Sequence, residues 1–428
     1  MGNPDSTKAE RSEDRSIRGT ERGFTRLATA AAFASLFSYA TVTSITEAAM
    51  RAIGRTYHKP ESVLGCLYLM EGAGFFVAVL VGGRISDRRG KLPVMLGGCL
   101  AMSVGAYAFA WTSSFGMAAA AMLLIGVGGG LSEGIAMAAL SDLYGERRRT
   151  AVLNWSQAAF ALGAVAAPTA VARLLSLGIG WRVGYLAATA ICAASGLLSL
   201  SAAAMKREKP VAAHGSDWRP LVSDPLVIWL SLGILLYVGA TLGLASWLST
   251  YFEKSLRSTA ALAASTVALL WGGIGVGRAV AAWLSKHLSD VALVTWSLGL
   301  AAACQVAMLV VSSPVAAFAA VAAIGFCLGP VWPTILSRAG AAYPAQSGTV
   351  FSILVAMGAV GFVAFPPLLG VAGTALGMGR ALWLCFLLLV VSLAIFVRLW
   401  GRESLHRRSA SSSEALAPPA HRDPGGSA

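Results

Sequence analysis

Charge is scarce in this sequence: Asp, Glu, Lys and Arg make up 12% of its 428 residues, against 56% hydrophobic residues, and the mean hydropathy is +0.69. Soluble domains carry about twice that charged share, so a soluble enzyme or binding module is excluded and an integral membrane protein is implied. Ten-residue stretches of polar–apolar alternation are missing, which excludes a membrane β-barrel and leaves helices to satisfy the backbone. Metal-ligand spacing is missing too. The six cysteines, Cys66, Cys99, Cys192, Cys304, Cys327 and Cys385, stand singly inside apolar runs and read as buried free thiols. No zinc-finger or helix-turn-helix pattern accompanies the net charge of +13, so nucleic acid is not an expected partner. The runs Gly126-x-Gly128-Gly129-Gly130 and Gly272-Gly273-x-Gly275-x-Gly277 have neither a preceding strand nor a P-loop lysine. They are sites of close helix contact rather than nucleotide loops. Nucleophile–base pairs and ATP-hydrolysing modules are absent, so neither enzyme activity nor a cofactor is expected.

What is present is a series of about twelve apolar segments, each near the roughly 20 residues that cross a bilayer. They fall at 27–50, 62–84, 93–112, 115–139, 150–173, 182–204, 225–250, 260–284, 290–312, 314–337, 346–370 and 377–399. The fold expected is all-α, with twelve transmembrane helices in two pseudo-symmetric six-helix bundles, 27–205 and 225–400. Residues 1–26 are polar, lack a signal-peptide core and read as a mobile cytoplasmic tail. Residues 206–224, with Pro210, Gly215 and Pro220, form a cytoplasmic linker between the bundles. Residues 401–428 cannot bury a core and are expected to be disordered. With the N-terminus inside, about 24 of the 33 basic residues fall on cytoplasmic segments, which places both termini in the cytoplasm of a plasma-membrane protein.

The densest charge between apolar segments is Gly83-Arg84-Ile85-Ser86-Asp87-Arg88-Arg89-Gly90-Lys91. That much charge does not enter hydrocarbon, so the stretch lies at a membrane surface. Gly83 and Gly90 bracket what reads as a tight turn. At the same join of the second half, Gly277-Arg278 followed by Trp283-Leu284-Ser285-Lys286-His287 is a loose echo without the aspartate, as expected of duplicated halves.

Gly83-x-Ile85-x-Asp87-Arg88-x-Gly90-Lys91 resembles the signature turn of the major facilitator superfamily of transporters, and the twelve-segment layout extends the resemblance over nearly the whole membrane region. The resemblance implies that Gly83, Asp87, Arg88, Gly90 and Lys91, with Asp142 pairing an arginine of the turn and Arg278 in the second half, close a cytoplasmic gate. Three further runs look like the fucose-permease-type sugar branch: Leu153-Asn154 with Gly163 and Pro168, Gly239 through Ser246-Trp247-Leu248-Ser249-Thr250-Tyr251, and Gly329-Pro330-Val331-Trp332-Pro333-Thr334-Ile335. Thr241 stands where that branch often has an acidic residue. The fifth-helix signature of drug antiporters is degraded, since Ala167-Pro168 has no following glycine before Gly178.

A carboxylate deep in a transmembrane helix is a functional candidate by default, because its charge is expensive there. Glu71 precedes Arg84 by 13 residues, about 20 Å at helical rise, and Glu133 precedes Asp142 by nine, about 13 Å. Both are candidates for proton coupling, Glu133 first, by its resemblance to the fourth-helix acid of the fucose-permease type. Glu47, nearer the outer end of the first segment, is expected to snorkel to the interface. A sugar-sized cargo needs amides, hydroxyls and aromatic faces, which Asn154, Gln157, Tyr237, Thr241, Trp247, Trp271 and Trp332 could supply. Trp111, Trp181, Tyr251 and Trp400 read instead as interface anchors. The function expected is proton-coupled symport of a small polar solute, a sugar first, by a monomer in the lipid bilayer. The alternatives are proton-driven export of amphiphilic compounds and a non-transporting membrane sensor of the same fold.

Overall fold

The computed structural model describes the backbone of residues 4–144, 146–205, 219–285, 287–343 and 346–416; the side chains of 4–20, 87, 146–151, 154, 282, 347–348 and 402–416 lie outside the description. In order the helices are α1 (Pro4–Tyr57), α2 (Glu61–Arg89), α3 (Lys91–Trp111), α4 (Phe115–Leu143), α5 (Glu146–Ser176), α6 (Arg182–Met205) and the single turn α7 (Arg219–Val222). The second half follows as α8 (Pro225–Lys254), α9 (Ala260–Leu284), α10 (Asp290–Val310), α11 (Pro314–Leu328), α12 (Val331–Ala342), α13 (Ser347–Leu376), α14 (Met378–Ala381) and α15 (Trp383–Leu416). Twelve stretches are long and apolar enough to cross a membrane, with α11 and α12 together making one span, and no strand occurs among the described residues.

Several helices outrun the spans drawn from hydropathy. The first runs 21–57 rather than 27–50, and α15 continues to Leu416 through the stretch for which disorder was expected. A helix nucleated in the membrane propagates cheaply into water, whereas an apolarity window ends where charge begins.

The halves repeat. In the first, α4 packs on α2 and α3, α6 on α3 and α1, and α5 on α1; in the second, α11 packs on α9 and α10, α15 on α10 and α8, and α13 on α8. The halves meet through the matching pairs α2–α13 and α5–α9, with α1 against α8 and α9. The same device makes both bundles tight. A Cβ at Gly126 on α4 would strike the carbonyl of Glu71 on α2, and one at Gly277 on α9 would strike the carbonyl of Phe326 on α11. Small residues let helix backbones approach where lipid offers no hydrophobic drive. Apolar side chains such as Val104, Leu162, Leu197 and Leu300 remain exposed on the outer faces, as lipid contact requires.

Two features of the charged turn differ from expectation. Residues 83–89 are helical, the final turns of α2, and the chain reverses at Gly90 alone, whose φ of 90° suits glycine. Gly83 has open space around it and an ordinary helical backbone, so no turn requires it. Asp142 pairs with Lys91 rather than with an arginine, because Lys91 opens α3 directly across from the end of α4 while Arg88 is exposed. The side chain of Asp87 lies outside the described residues. The end of the molecule carrying Gly90 is called the turn side below, and the opposite end the far side.

Candidate functional site: a cavity between the two halves

Helices of both halves build the site. On α1, Tyr39, Thr43 and Glu47 recur every fourth residue and so share one face. On α8, Tyr237 and Thr241 do the same, and on α9 Trp271 and Arg278 are two turns apart. From α4 and α5 come Glu133, Gln157 and Phe160, and Trp332 enters from α12. Together they enclose a cavity of about 150 Å³ at the interface of the halves.

The break between α11 and α12 explains how Trp332 reaches it. Pro330 and Pro333 cannot donate backbone hydrogen bonds, and the freed section at Gly329-Pro330 is braced by Tyr237, whose hydroxyl donates to the Leu328 carbonyl at 3.2 Å. Tyr237 therefore offers mainly its ring to the cavity, with Thr241 beside its hydroxyl.

Glu47 overturns an expectation. It does not snorkel: the residue is 5% exposed, lines the cavity and accepts a hydrogen bond from the Trp271 indole N–H at 2.8 Å across the two halves. The far ends of α1 and α8 explain this, since they cover Glu47 with protein, and Ser249 donates to its backbone carbonyl at 2.8 Å. Glu133 also faces the cavity, within electrostatic reach of Arg278 on the other half. Glu71 does not line it. Buried to 1% exposure on α2, it has one carboxyl oxygen without a hydrogen-bond partner and lies near enough to Glu47 for two charges to repel.

Other expectations shift as well. Arg278 is in the cavity wall, not at a surface gate, because α9 continues a further six residues to Leu284, about 9 Å at helical rise. Trp247 is fully buried and donates to the Pro366 carbonyl at 2.7 Å, a carbonyl at the kink that Pro366 and Pro367 put into α13. The Asn154 side chain lies outside the described residues. Trp181 and Tyr251 are buried rather than interfacial: Trp181 donates to Thr56 at 3.0 Å and Tyr251 to the Met308 carbonyl at 3.1 Å. Trp111, the last residue of α3, is 65% exposed.

The far side of the cavity is plugged in layers. Tyr68 on α2 donates to the Ser246 carbonyl on α8 at 2.9 Å and meets Trp247 edge to face, with ring centroids 5.9 Å apart. Further out, the Ser62 amide donates to Thr374 at 2.7 Å, and ion pairs Arg55–Glu253 at 2.6 Å and Lys254–Glu61 at 2.5 Å join the halves, with Arg51 3.9 Å from Glu61. On the turn side the first half instead has a separate apolar core of its own, from Phe24, Leu36, Met95, Ile135, Leu140 and neighbours. Hydropathy alone does not single out Arg51 and Arg55; the sequence signal for these pairs is their acidic complement, Glu61 and Glu253, at facing helix ends. Exposed ion pairs are worth about 0–1 kcal/mol each, and Glu61 is the buried partner of this set. Glu61→Gln should therefore shift the population toward far-side opening by about fivefold, equivalent to ~1 kcal/mol. Labelling by an impermeant maleimide of a cysteine introduced at Ser249, which is buried between α8 and α1 on the far side, checks this; unchanged labelling would mean that the pairs do not hold the far side.

Twelve spans in two like halves around a central cavity, with one end sealed, define a membrane transporter. The Major Facilitator Superfamily model matches residues 30–347, and the chain belongs to that family. A protein TsgA homolog of Serratia proteamaculans (strain 568) is 22% identical over 373 residues, 83% of this chain and 93% of that one. A protein TsgA homolog of Yersinia enterocolitica serotype O:8 / biotype 1B (strain NCTC 13174 / 8081) is 20% identical over 85% of this chain and 95% of its own. Among solved structures, a bacterial homolog of the human lysosomal transporter Spinster, inward-facing and unoccupied, superposes with a TM-score of 0.71 at 15% identity, covering 88% of this chain and 96% of that one. Its inward-facing, occupied form gives 0.72 at the same identity and coverage. At that identity the likeness establishes the fold.

Proposed function

We propose that the protein moves a small polar solute across the plasma membrane by proton-coupled alternating access, with both termini cytoplasmic and the turn side open to the cytoplasm. The observation that carries this reading is that two carboxyl groups from the first half, Glu47 and Glu133, face a cavity whose opposite wall comes from the second. A carboxylate in that setting is tolerated when it is protonated or given a partner. Rocking the halves apart on one side and then the other changes the water and partners each group meets, so each can take a proton at one face and release it at the other.

Hydroxyl and amide groups at Thr43, Gln157 and Thr241, with the rings of Phe160, Trp271 and Trp332, suit a compact hydroxylated ring. The runs similar to the fucose-permease type support a sugar or sugar-like solute. Isotope uptake into proteoliposomes under an imposed pH gradient, across a panel of sugars and sugar derivatives, tests the proposal. Accumulation driven by entering protons is expected. Expulsion of solute against entering protons would favour the exporter of amphiphilic compounds, and ligand-stabilised melting without flux would favour the sensor.

A further inference from the structure

Resting on the transport reading above, we propose that the cargo carries one carboxylate and that Arg278 with Gln157 forms the subsite for it. Arg278 is the only lysine or arginine in the cavity wall among the described residues. A guanidinium is a permanent cation in proteins, and a buried cation is expensive unless something pairs with it. The protein itself does this poorly. The Nε of Arg278 is buried without a hydrogen-bond partner, Nη1 reaches the Gln157 side-chain oxygen at a long 3.5 Å, and no carboxylate among the described residues lies within ion-pair distance. A planar donor fork left open toward a cavity matches the two oxygens of a carboxylate.

Charge balance selects a monoanion. Glu133 is the cavity's counter-charge to Arg278, felt across the space without direct pairing. Tyr39 also feels the charge of Glu133, and Glu47 lines the same cavity on its Trp271 hydrogen bond; neither is a cation. When Glu133 and Glu47 both hold protons, Arg278 is uncompensated, and one carboxylate restores neutrality. A neutral sugar would leave the cation unpaired, and a phosphate dianion would overshoot by one charge. The cavity has room for on the order of ten water-sized groups, and its aromatic walls favour a ring, as in a sugar acid or an aromatic acid.

The test is thermal melting of the purified full-length protein with matched ligands: glucuronate against glucose, benzoate against benzyl alcohol, and glucose 6-phosphate as the dianion. At least one acid is expected to raise the melting temperature where its neutral partner and the dianion do not. Arg278→Gln should remove that shift and Arg278→Lys retain part of it. Glu133→Gln should tighten acid binding by about fivefold or more, because a competing anion of some 1 kcal/mol is gone. If Arg278→Gln does not fold, Gln157→Ala serves, with a weakened shift for acids. Equal shifts from neutral partners, an intact shift in these variants, or no shift with any acid would overturn the subsite. Proton-driven flux of glucose would also overturn it while leaving the transport reading standing; acid binding without any flux would do the reverse.

Discussion

Glu133→Gln and Glu47→Gln should each bring proton-driven uptake to background while leaving the protein folded. Glutamine keeps the size and an acceptor oxygen, so in Glu47→Gln the Trp271 indole N–H retains its partner, but neither amide can take up and release a proton. A fall of at least about tenfold is expected, the effect of losing ~1.4 kcal/mol of coupling. Solute exchange without a gradient should survive better than gradient-driven uptake, since it does not require the proton to leave. Glu71→Gln is the informative comparison. Glu71 is buried behind the cavity wall rather than in it, so its replacement should alter stability more than coupling. Uptake in proteoliposomes with and without an imposed pH gradient measures all three. Full proton-driven uptake in both Glu47→Gln and Glu133→Gln would sink the coupling role.

The largest stability effects should come from glycines. Alanine at Gly126 places a methyl group against the Glu71 carbonyl, and alanine at Gly277 places one against the Phe326 carbonyl. Backbone cannot swing aside as a side-chain tip can, so the helices must separate. Overpacking of this kind costs about 1–3 kcal/mol, and valine at either position should prevent recovery of folded protein. Gly83→Ala gives the contrast, because that position is helical with nothing nearby; the change should be neutral or stabilising by about 0.4–1 kcal/mol. Melting in detergent followed by intrinsic fluorescence reads the series. Equal losses at all three positions would show that the Gly126 and Gly277 crossings are not what fixes the bundles.

The polar spacing on α1 shows how near the site came to being legible. Tyr39, Thr43 and Glu47 recur at four-residue intervals in an otherwise apolar helix, which marks one face for a polar space. Glu47 taken alone, near a helix end, suggested the interface instead. Trp271 and Trp332 were recognisable as mid-segment aromatics, and both line the cavity. Trp247, proposed as another aromatic face for the cargo, is part of the far-side plug.

The sequence by itself determined the number of spans, a surface reversal within residues 83–91 and the doubled plan, because these follow from local hydropathy, charge and glycine. It could not determine which face of each span meets the cavity. In water, burial follows the apolar stripe of a helix, but in a bilayer lipid and protein core are equally apolar, so the pattern along these helices leaves their rotation open. Tertiary packing made that choice. It turned Glu47, Glu133 and Arg278 toward one space and left Glu71 and Trp247 behind its walls, through close approaches such as Gly126 on Glu71 and Gly277 on Phe326 that fix each helix about its own axis.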